Sequence, residues 1–463
     1  MQVIHFVADG WYARYDDGFE VGNVSRVVDA AASLWSASMP GAAVYVGYDT
    51  RDGSDEFARA AAVVLSAHGL DVHLSDSACP TPALARAINT DQGACGGVMV
   101  TASQRPAGMG GLRIRCADGS AVDALDLETM EALVPPDAPD ITGEVGTVDL
   151  MGPYLRTLHG LADHEALAGS SLSVVVDPMY GAARGHLAHL LEEEGLDVHE
   201  MHGDAVGDFG GLHPEVFEPW VDDCEREVVE KGADLGIVCE GAGDRIGIVD
   251  ERGNLVPAHK VVALIMDHLV EGRGLSGRII VPQSASALVK RQAERLGCEV
   301  VVCAAGFCWV HDEIVRGGVL LGCDELCGMC VPALAPTRDG LMEALLVCEL
   351  MGTTHLTLTE LVDDLEARLG HMDYGRRDVR LGSAEIQTLR NVLPGANPAS
   401  VAGQVPVHVN HMDGIRLEME DGSWLLVRPS RTEPFVRVTA ECSSAAGRDA
   451  LLDAGAALAH GDM

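Results

Sequence analysis

The sequence predicts an α/β protein: three tandem layered α/β domains followed by a small C-terminal α+β domain. Two observations carry this reading. Short apolar runs alternate with stretches of helical periodicity from residue 41 to residue 369, and the cycle starts three times. The last ~90 residues change character, to alternating strands joined by a tight turn and closed by an Ala-rich helix. The three comparable units suggest duplication, although none is a strict repeat. Aromatic residues are scarce at 4% and glycines number 53, which fits many tight loops.

Residues 41–48 read as a strand ending in Asp49-Thr50-Arg51-Asp52. Residues 54–68 read as a helix with Phe57, Ala61, Val64 and Leu65 on one face. A strand at 70–74, the turn Cys79-Pro80-Thr81-Pro82 and a helix at 83–88 follow. The apolar run 96–100 then meets a loop beginning Thr101-Ala102-Ser103, and a Pro- and Asp-rich linker at 134–140 closes a first domain, 1–140. The second domain, 141–254, has a strand at 172–176 and a helix through Leu190 and Leu191. A strand at 233–239 then runs into Glu240-Gly241-Ala242-Gly243-Asp244-Arg245, with another strand at 246–249. The third, 255–370, has strands at 278–282, 299–302 and 318–321 and helices at 261–270, 341–351 and 358–369. The fourth, 371–463, places strands at 414–420 and 424–427 around Asp421-Gly422, with a closing helix after Gly447.

The chain of 463 residues is 47% hydrophobic and 22% charged, ordinary values for a soluble protein. Its formal charge of −38 argues against nucleic-acid and anionic-membrane partners, since the summed field repels both. The acidity reads as a solvated surface, and an anionic ligand needs a local cationic pocket working against that field. Thirteen cysteines, several inside apolar runs such as Cys239 and Cys348, read as buried free thiols in a reducing cytoplasm. The N-terminus lacks a basic region with a long apolar core, and no uncharged run approaches the roughly 18 residues a membrane span requires. A cytoplasmic monomer or homodimer is expected.

A serine in a loop after an apolar strand, with Arg105 and Arg113 nearby, suits an anionic, phosphate-like ligand. A helix-capping serine is the alternative. The stretch Arg428-Pro429-Ser430-Arg431-Thr432-Glu433-Pro434-Phe435-Val436-Arg437 sets hydroxyls, arginines and prolines between strands, an array able to surround a phosphate, or simply a solvated basic turn.

In order along the chain, Asp9-Gly10-Trp11, Asp49-Thr50-Arg51, Pro80-Thr81-Pro82, Thr101-Ala102-Ser103, Asp177-Pro178 with Gly181, His213-Pro214-Glu215, 239–245, 324–329 and 428–434 resemble the motifs of the α-D-phosphohexomutases, the phosphoglucomutase/phosphomannomutase group. The resemblance implies four domains around a central cleft. It also implies a phosphoserine at Ser103 that exchanges its phosphoryl with a hexose phosphate through a hexose 1,6-bisphosphate, which also primes the serine. By the same resemblance Ser103, Arg113 and Arg245 are catalytic, and Ser103, Glu240 and Asp244 hold Mg2+. Glu325 and Cys327 then bind the sugar, and Arg428, Ser430, Thr432 and Arg437 the phosphate that does not react.

The departures are selective. Glu240 and Ala242 stand where the family has aspartates, which should weaken a site for a hard, oxygen-seeking cation. Arg113 replaces a lysine and can bind phosphate but not act as a base. Cys327 and Met329 replace a serine and a histidine, and Tyr12 an arginine. Two readings therefore stand: a slow or re-specialised phosphohexomutase, and a non-catalytic phosphosugar-binding relative with a regulatory or assembly role. The spacing of Cys323, Cys327 and Cys330 also allows an iron–sulfur site. His5, His311 and His411 show no metal-ligand spacing.

Overall fold

A computed structural model of the chain describes residues 3–461 other than 8, 327, 334–336 and 431–434. Four sheets follow one another along the chain. The first contains β1 (Gly10–Arg14), β2 (Ala43–Tyr48), β3 (Asp71–Ser75), β4 (Ala94–Val100), β5 (Met109–Arg115) and β6 (Thr147–Val148), in the order β1-β5-β4-β2-β3-β6. β4 is buried along its length because it lies centrally, parallel to β2 and antiparallel to β5. Helices Val21–Ser38, Ser54–Ala67 and Thr81–Thr90 cover this sheet.

The second sheet holds β7 (Ser173–Asp177), β8 (Asp197–Glu200), β9 (Leu235–Cys239), β10 (Ile246–Val249) and β11 (Leu255–Val256), ordered β11-β10-β9-β7-β8. The third holds β12 (Arg278–Pro282), β13 (Val300–Cys303), β14 (Val319–Cys323) and β15 (Met329–Cys330), ordered β13-β12-β14-β15. Both combine parallel pairs with antiparallel hairpins: β9–β10, around 240–245, and β10–β11 in the second sheet, and β14–β15 in the third. The expected helix at 261–270 runs over Ala258–Asp267 and continues as a π turn, His268–Gly272.

The fourth sheet is wholly antiparallel, β16-β20-β19-β18-β17, built from β16 (Asp373–Arg380), β17 (His408–Asn410), β18 (Ile415–Glu418), β19 (Trp424–Pro429) and β20 (Phe435–Cys442). Helix Ala445–Ala459 packs on it. The α/β and α+β layering expected from the alternation is thus present.

One apolar cluster runs through the first three units, from Leu84 and Met99 through Val174 and Ile237 to Ile279 and Leu321. Helix Gly340–Thr354 crosses its middle and is buried on every side from Gly340 to Gly352, which explains a sequence apolar all round rather than striped. Its Glu349 is buried but accepts from His268 Nε2 at 2.9 Å and from Arg273. Cys79, Cys224, Cys239, Cys323 and Cys348 are buried free thiols. Among the described residues no single helix is long and apolar enough to cross a membrane.

Candidate functional site

The loop after β4 is fixed from below. Asp49, buried at the end of β2, accepts Thr101 Oγ1 at 2.7 Å, Ser54 Oγ at 2.7 Å and Arg51 Nε at 3.1 Å. Arg51, itself buried, donates to four carbonyls: Ser103 (2.6 Å), Arg105 (2.7 Å), Pro106 (2.9 Å) and Met109 (3.0 Å). A planar fork of donors suits this task as lysine would not. The cradle holds Ser103 at φ +53°, a left-handed conformation that costs a non-glycine residue about 1–2 kcal/mol. Such strain persists only where the surroundings over-determine it. The expected capping role does not apply, since Ser103 N donates to Thr101 Oγ1 and Ser103 Oγ donates to Glu240 Oε2 at 2.9 Å.

Glu240 stands on the β9–β10 hairpin loop, which presses against the serine loop. A Cβ on Gly241 would lie 3.0 Å from the Ser103 carbonyl oxygen, so only glycine permits this approach comfortably. Thr81 N also donates to the Ala242 carbonyl at 2.9 Å, tying the proline turn to the same hairpin. Burial, and then the adjacent Asp244 carboxylate, pushes the Glu240 carboxyl up to about 8. Asp244 goes the other way. Burial opposes its ionisation, but the guanidinium groups of Arg338, Arg113 and Arg245 together hold it well below the usual carboxylate range.

Those three arginines occupy both Asp244 oxygens. Oδ2 accepts Arg113 Nη1 at 2.9 Å and Arg338 Nη2 at 3.0 Å, while Oδ1 accepts Arg245 Nη1 at 3.1 Å. The network continues outward. Asp9 lies 3.5 Å from Arg113 and 3.4 Å from Arg115. Against the cost of burial, these cations bring its carboxyl down to about 2. Tyr12 donates to Asp9 at 2.9 Å and carries the Arg105 guanidinium over its ring at 3.6 Å. On the far side, Asp324 Oδ2 accepts Arg245 and Arg338, each at 3.0 Å. Among the described residues, Arg113, Arg115, Arg245 and Arg338 therefore face Asp9, Asp244 and Asp324, leaving one guanidinium in excess.

The resemblance implies Mg2+ on Ser103, Glu240 and Asp244. These residues, as arranged, do not fit it. Ala242 offers no side-chain oxygen, and both Asp244 oxygens are engaged by guanidinium groups. A hard divalent cation seeks near-octahedral oxygen ligands, not three arginines at hydrogen-bond distance. Among the described residues, three-ligand groups form only at His159, His164 and Glu194 and at Glu218, Asp222 and Glu225. Neither includes the serine loop.

A second cluster lies on the β14–β15 loop and the fourth sheet. Glu325 accepts from Ser284 Oγ and from Arg437 Nη1 at 3.1 Å, and Arg428 Nη2 lies 3.8 Å away. Burial disfavours its charge, yet Arg428 and Arg437 hold its carboxyl below the usual range. Arg437 is also bidentate on Asp378, at 2.9 and 3.1 Å. Ser430 N donates to the Phe435 carbonyl at 2.9 Å, and its own carbonyl accepts from Arg390. A cavity of about 470 Å³ opens beside Glu325, lined also by Arg376, Tyr374, His259 and Phe217. Cys327 and Thr432, expected to bind sugar and phosphate, lie outside the described residues, as does the middle cysteine of the Cys323–Cys330 spacing.

The structure thus gathers Ser103, Glu240, Asp244, Arg113 and Arg245 into one hydrogen-bonded network, and Glu325, Arg428 and Arg437 into another. Adjacent residues Asp324 and Glu325 join the two. Sequence reasoning missed Arg338, Asp9 as a charge partner, and Arg115. The only sequence signal for them is charged residues beside apolar runs, as in Arg113-Ile114-Arg115 and in Thr337-Arg338-Asp339 before an apolar helix.

Three regions of the chain match the Phosphoglucomutase/phosphomannomutase α/β/α domains: domain I over residues 4–135, domain II over 152–253 and domain III over 257–369. A protein of Methanothermobacter thermautotrophicus (strain Delta H) named as a phosphoglucosamine mutase is 29% identical over 406 residues, 86% of this chain and 85% of its own. The crystal structure of a protein described as a phosphomannomutase from Thermus thermophilus superposes with a TM-score of 0.89 at 28% identity, covering 99% of this chain and 100% of that one. Aspergillus fumigatus N-acetylphosphoglucosamine mutase, solved with GlcNAc-6P and magnesium, shares the fold at a TM-score of 0.62 and 15% identity, covering 100% of this chain and 96% of that one.

Proposed function

The chain belongs to the phosphoglucomutase/phosphomannomutase family, and from that premise we propose that it interconverts hexose 1-phosphate and hexose 6-phosphate through a phosphoserine at Ser103. The observation that carries this reading is the Ser103 hydroxyl held 2.9 Å from Glu240 in a strained loop beside an excess of guanidinium charge. A structural serine needs neither the strain nor the cations.

Phosphoryl transfer demands positioning and charge stabilisation more than covalent help from the protein. As the sugar hydroxyl oxygen bonds to phosphorus, the P–Oγ bond of the phosphoserine breaks. Glu240 gives its proton to Ser103 Oγ, and the proton of the sugar hydroxyl leaves to solvent. With its carboxyl pushed up to about 8, Glu240 carries that proton near neutral pH. In the return step Ser103 Oγ bonds to the other phosphorus of the bisphosphate as the bond from that phosphorus to the sugar oxygen breaks. The serine proton passes back to Glu240 and the sugar oxygen takes a proton from solvent. Help of this kind contributes roughly 10²–10⁴-fold. Arg113 and Arg245, both bonded to Asp244 and the latter also to Asp324, supply the positive charge beside the transferring group.

Glu325 with Arg428 and Arg437 forms the far end of the site. Arg437 and Arg428, with Ser430 and Thr432, would grip the non-reacting phosphate, which then replaces Asp378 and Glu325 as partner for the arginines. The substrate class is a hexose phosphate; related proteins are named for glucosamine and mannose phosphates alike.

Following hexose 1-phosphates by phosphorus NMR, with glucose 1,6-bisphosphate as primer, tests the reading. Conversion to the 6-phosphate that disappears in Ser103→Ala supports it. Protection of the protein from heat by the sugar phosphate, without conversion, would mean a binding protein instead.

A further inference from the structure

Because the donor set does not fit Mg2+, the charge that develops at Ser103 needs another counterpart. We propose that phosphoryl transfer at Ser103 runs without a divalent cation, its charge being met by a guanidinium cage of Arg113, Arg245 and Arg338 built on Asp244. The inference rests on the phosphoserine reading above.

Three features of the geometry support it. First, Asp244 is fully buried and its oxygens are already bonded to all three arginines, at 2.9, 3.0 and 3.1 Å. A cation binding there would have to displace a guanidinium and then sit among the others. Second, the cage is rigid. Arg245 and Arg338 are tied a second time to Asp324, and Arg113 lies between Asp244, Asp9 and the Tyr12 hydroxyl at 3.2 Å. Donors fixed in advance of the reaction are worth most, because nothing reorganises as charge develops. Third, arginine offers planar, bidentate geometry to phosphate oxygens and stays charged at every relevant pH. Arg338 Nε is buried without a hydrogen-bond partner among the described residues, leaving donor capacity on the same cage.

In the transfer itself the P–Oγ bond breaks and the bond from the sugar oxygen to phosphorus forms. Glu240 supplies the proton to Oγ, and the sugar hydroxyl releases its own to solvent. The guanidinium groups exchange no proton and form no covalent bond. They offset the charge on the non-bridging oxygens, the duty a metal ion otherwise performs.

The experiment incubates metal-stripped protein with glucose 1,6-bisphosphate in EDTA or in excess Mg2+, and follows phosphate on the Ser103 peptide by mass spectrometry against time. We expect the two rates to agree within about threefold. In Arg113→Met the rate should fall roughly 100-fold with Mg2+ or without it. The pair Ala242→Asp with Arg113→Lys, which restores oxygen donors and removes one guanidinium, should acquire a requirement for Mg2+. Phosphorylation only when Mg2+ is added would overturn the cage while leaving Ser103 as carrier. No phosphorylation in either buffer would instead overturn the phosphoserine reading and the cage with it.

Discussion

Replacing Glu240 by glutamine tests the buried acid beside Ser103 through its linkage to stability. The carboxyl is fully buried, and burial together with Asp244 pushes it up to about 8 from the usual 4.5. A carboxyl raised in this way favours the native state most below its unfolded value. That advantage is lost as pH rises from 4.5 towards 8, and is then constant. At 1.36 kcal/mol per unit the loss approaches ~5 kcal/mol at pH 8.5, an upper figure because Asp244 shares the titration. Glutamine keeps the length of the side chain and can still accept from Asp244 N through Oε1, as Glu240 does at 3.2 Å. Glu240→Gln should therefore match the parent at pH 5 and exceed it at pH 8.5, by up to roughly 5 °C in melting temperature for a chain of this length. Scanning fluorimetry of both proteins from pH 4.5 to 9 reads this directly. A variant whose offset from the parent is the same at every pH, or one less stable at pH 8.5, would mean that the Glu240 carboxyl is not raised by its surroundings.

Three further outcomes follow from the same geometry. Asp244→Asn leaves Arg113, Arg245 and Arg338 around a neutral amide. The expected cost is about 3–5 kcal/mol of stability, measured by urea unfolding. Arg437→Lys loses the bidentate pair with Asp378 and the planar grip on phosphate, so kcat/KM should fall roughly 10- to 100-fold while the melting temperature changes little. The formal charge of −38 opposes an anionic substrate at a distance. Raising salt from about 10 mM to about 150 mM shortens the Debye length from roughly 30 Å to 8 Å and should raise kcat/KM. A fall with salt would mean that the local arginines, not the overall field, govern approach.

The loops that carry the site were legible because turn chemistry stood beside apolar strands. Ser103 after β4 and Glu240–Arg245 after β9 are examples. The charge network was not, because its members lie far apart in sequence: Arg113 is 131 residues from Asp244, and Arg338 is 94. No local pattern links them, and only the packing of the three α/β units along one apolar cluster brings them together. The strand β16 escaped notice for a different reason. It lies at a sheet edge and its residues are half-buried or exposed, so Asp373–Arg380 shows no apolar alternation. The expectation of a metal at Glu240 and Asp244 treated their oxygens as free, whereas folding gives the Asp244 oxygens to arginines.

A phosphoryl group carried on Ser103 is read by peptide mass spectrometry of protein treated with glucose 1,6-bisphosphate. The expected result is phosphate on the Ser103 peptide, its removal on addition of a hexose 1-phosphate, and none on Ser103→Ala. An unmodified Ser103 in protein that still binds the bisphosphate would contradict it.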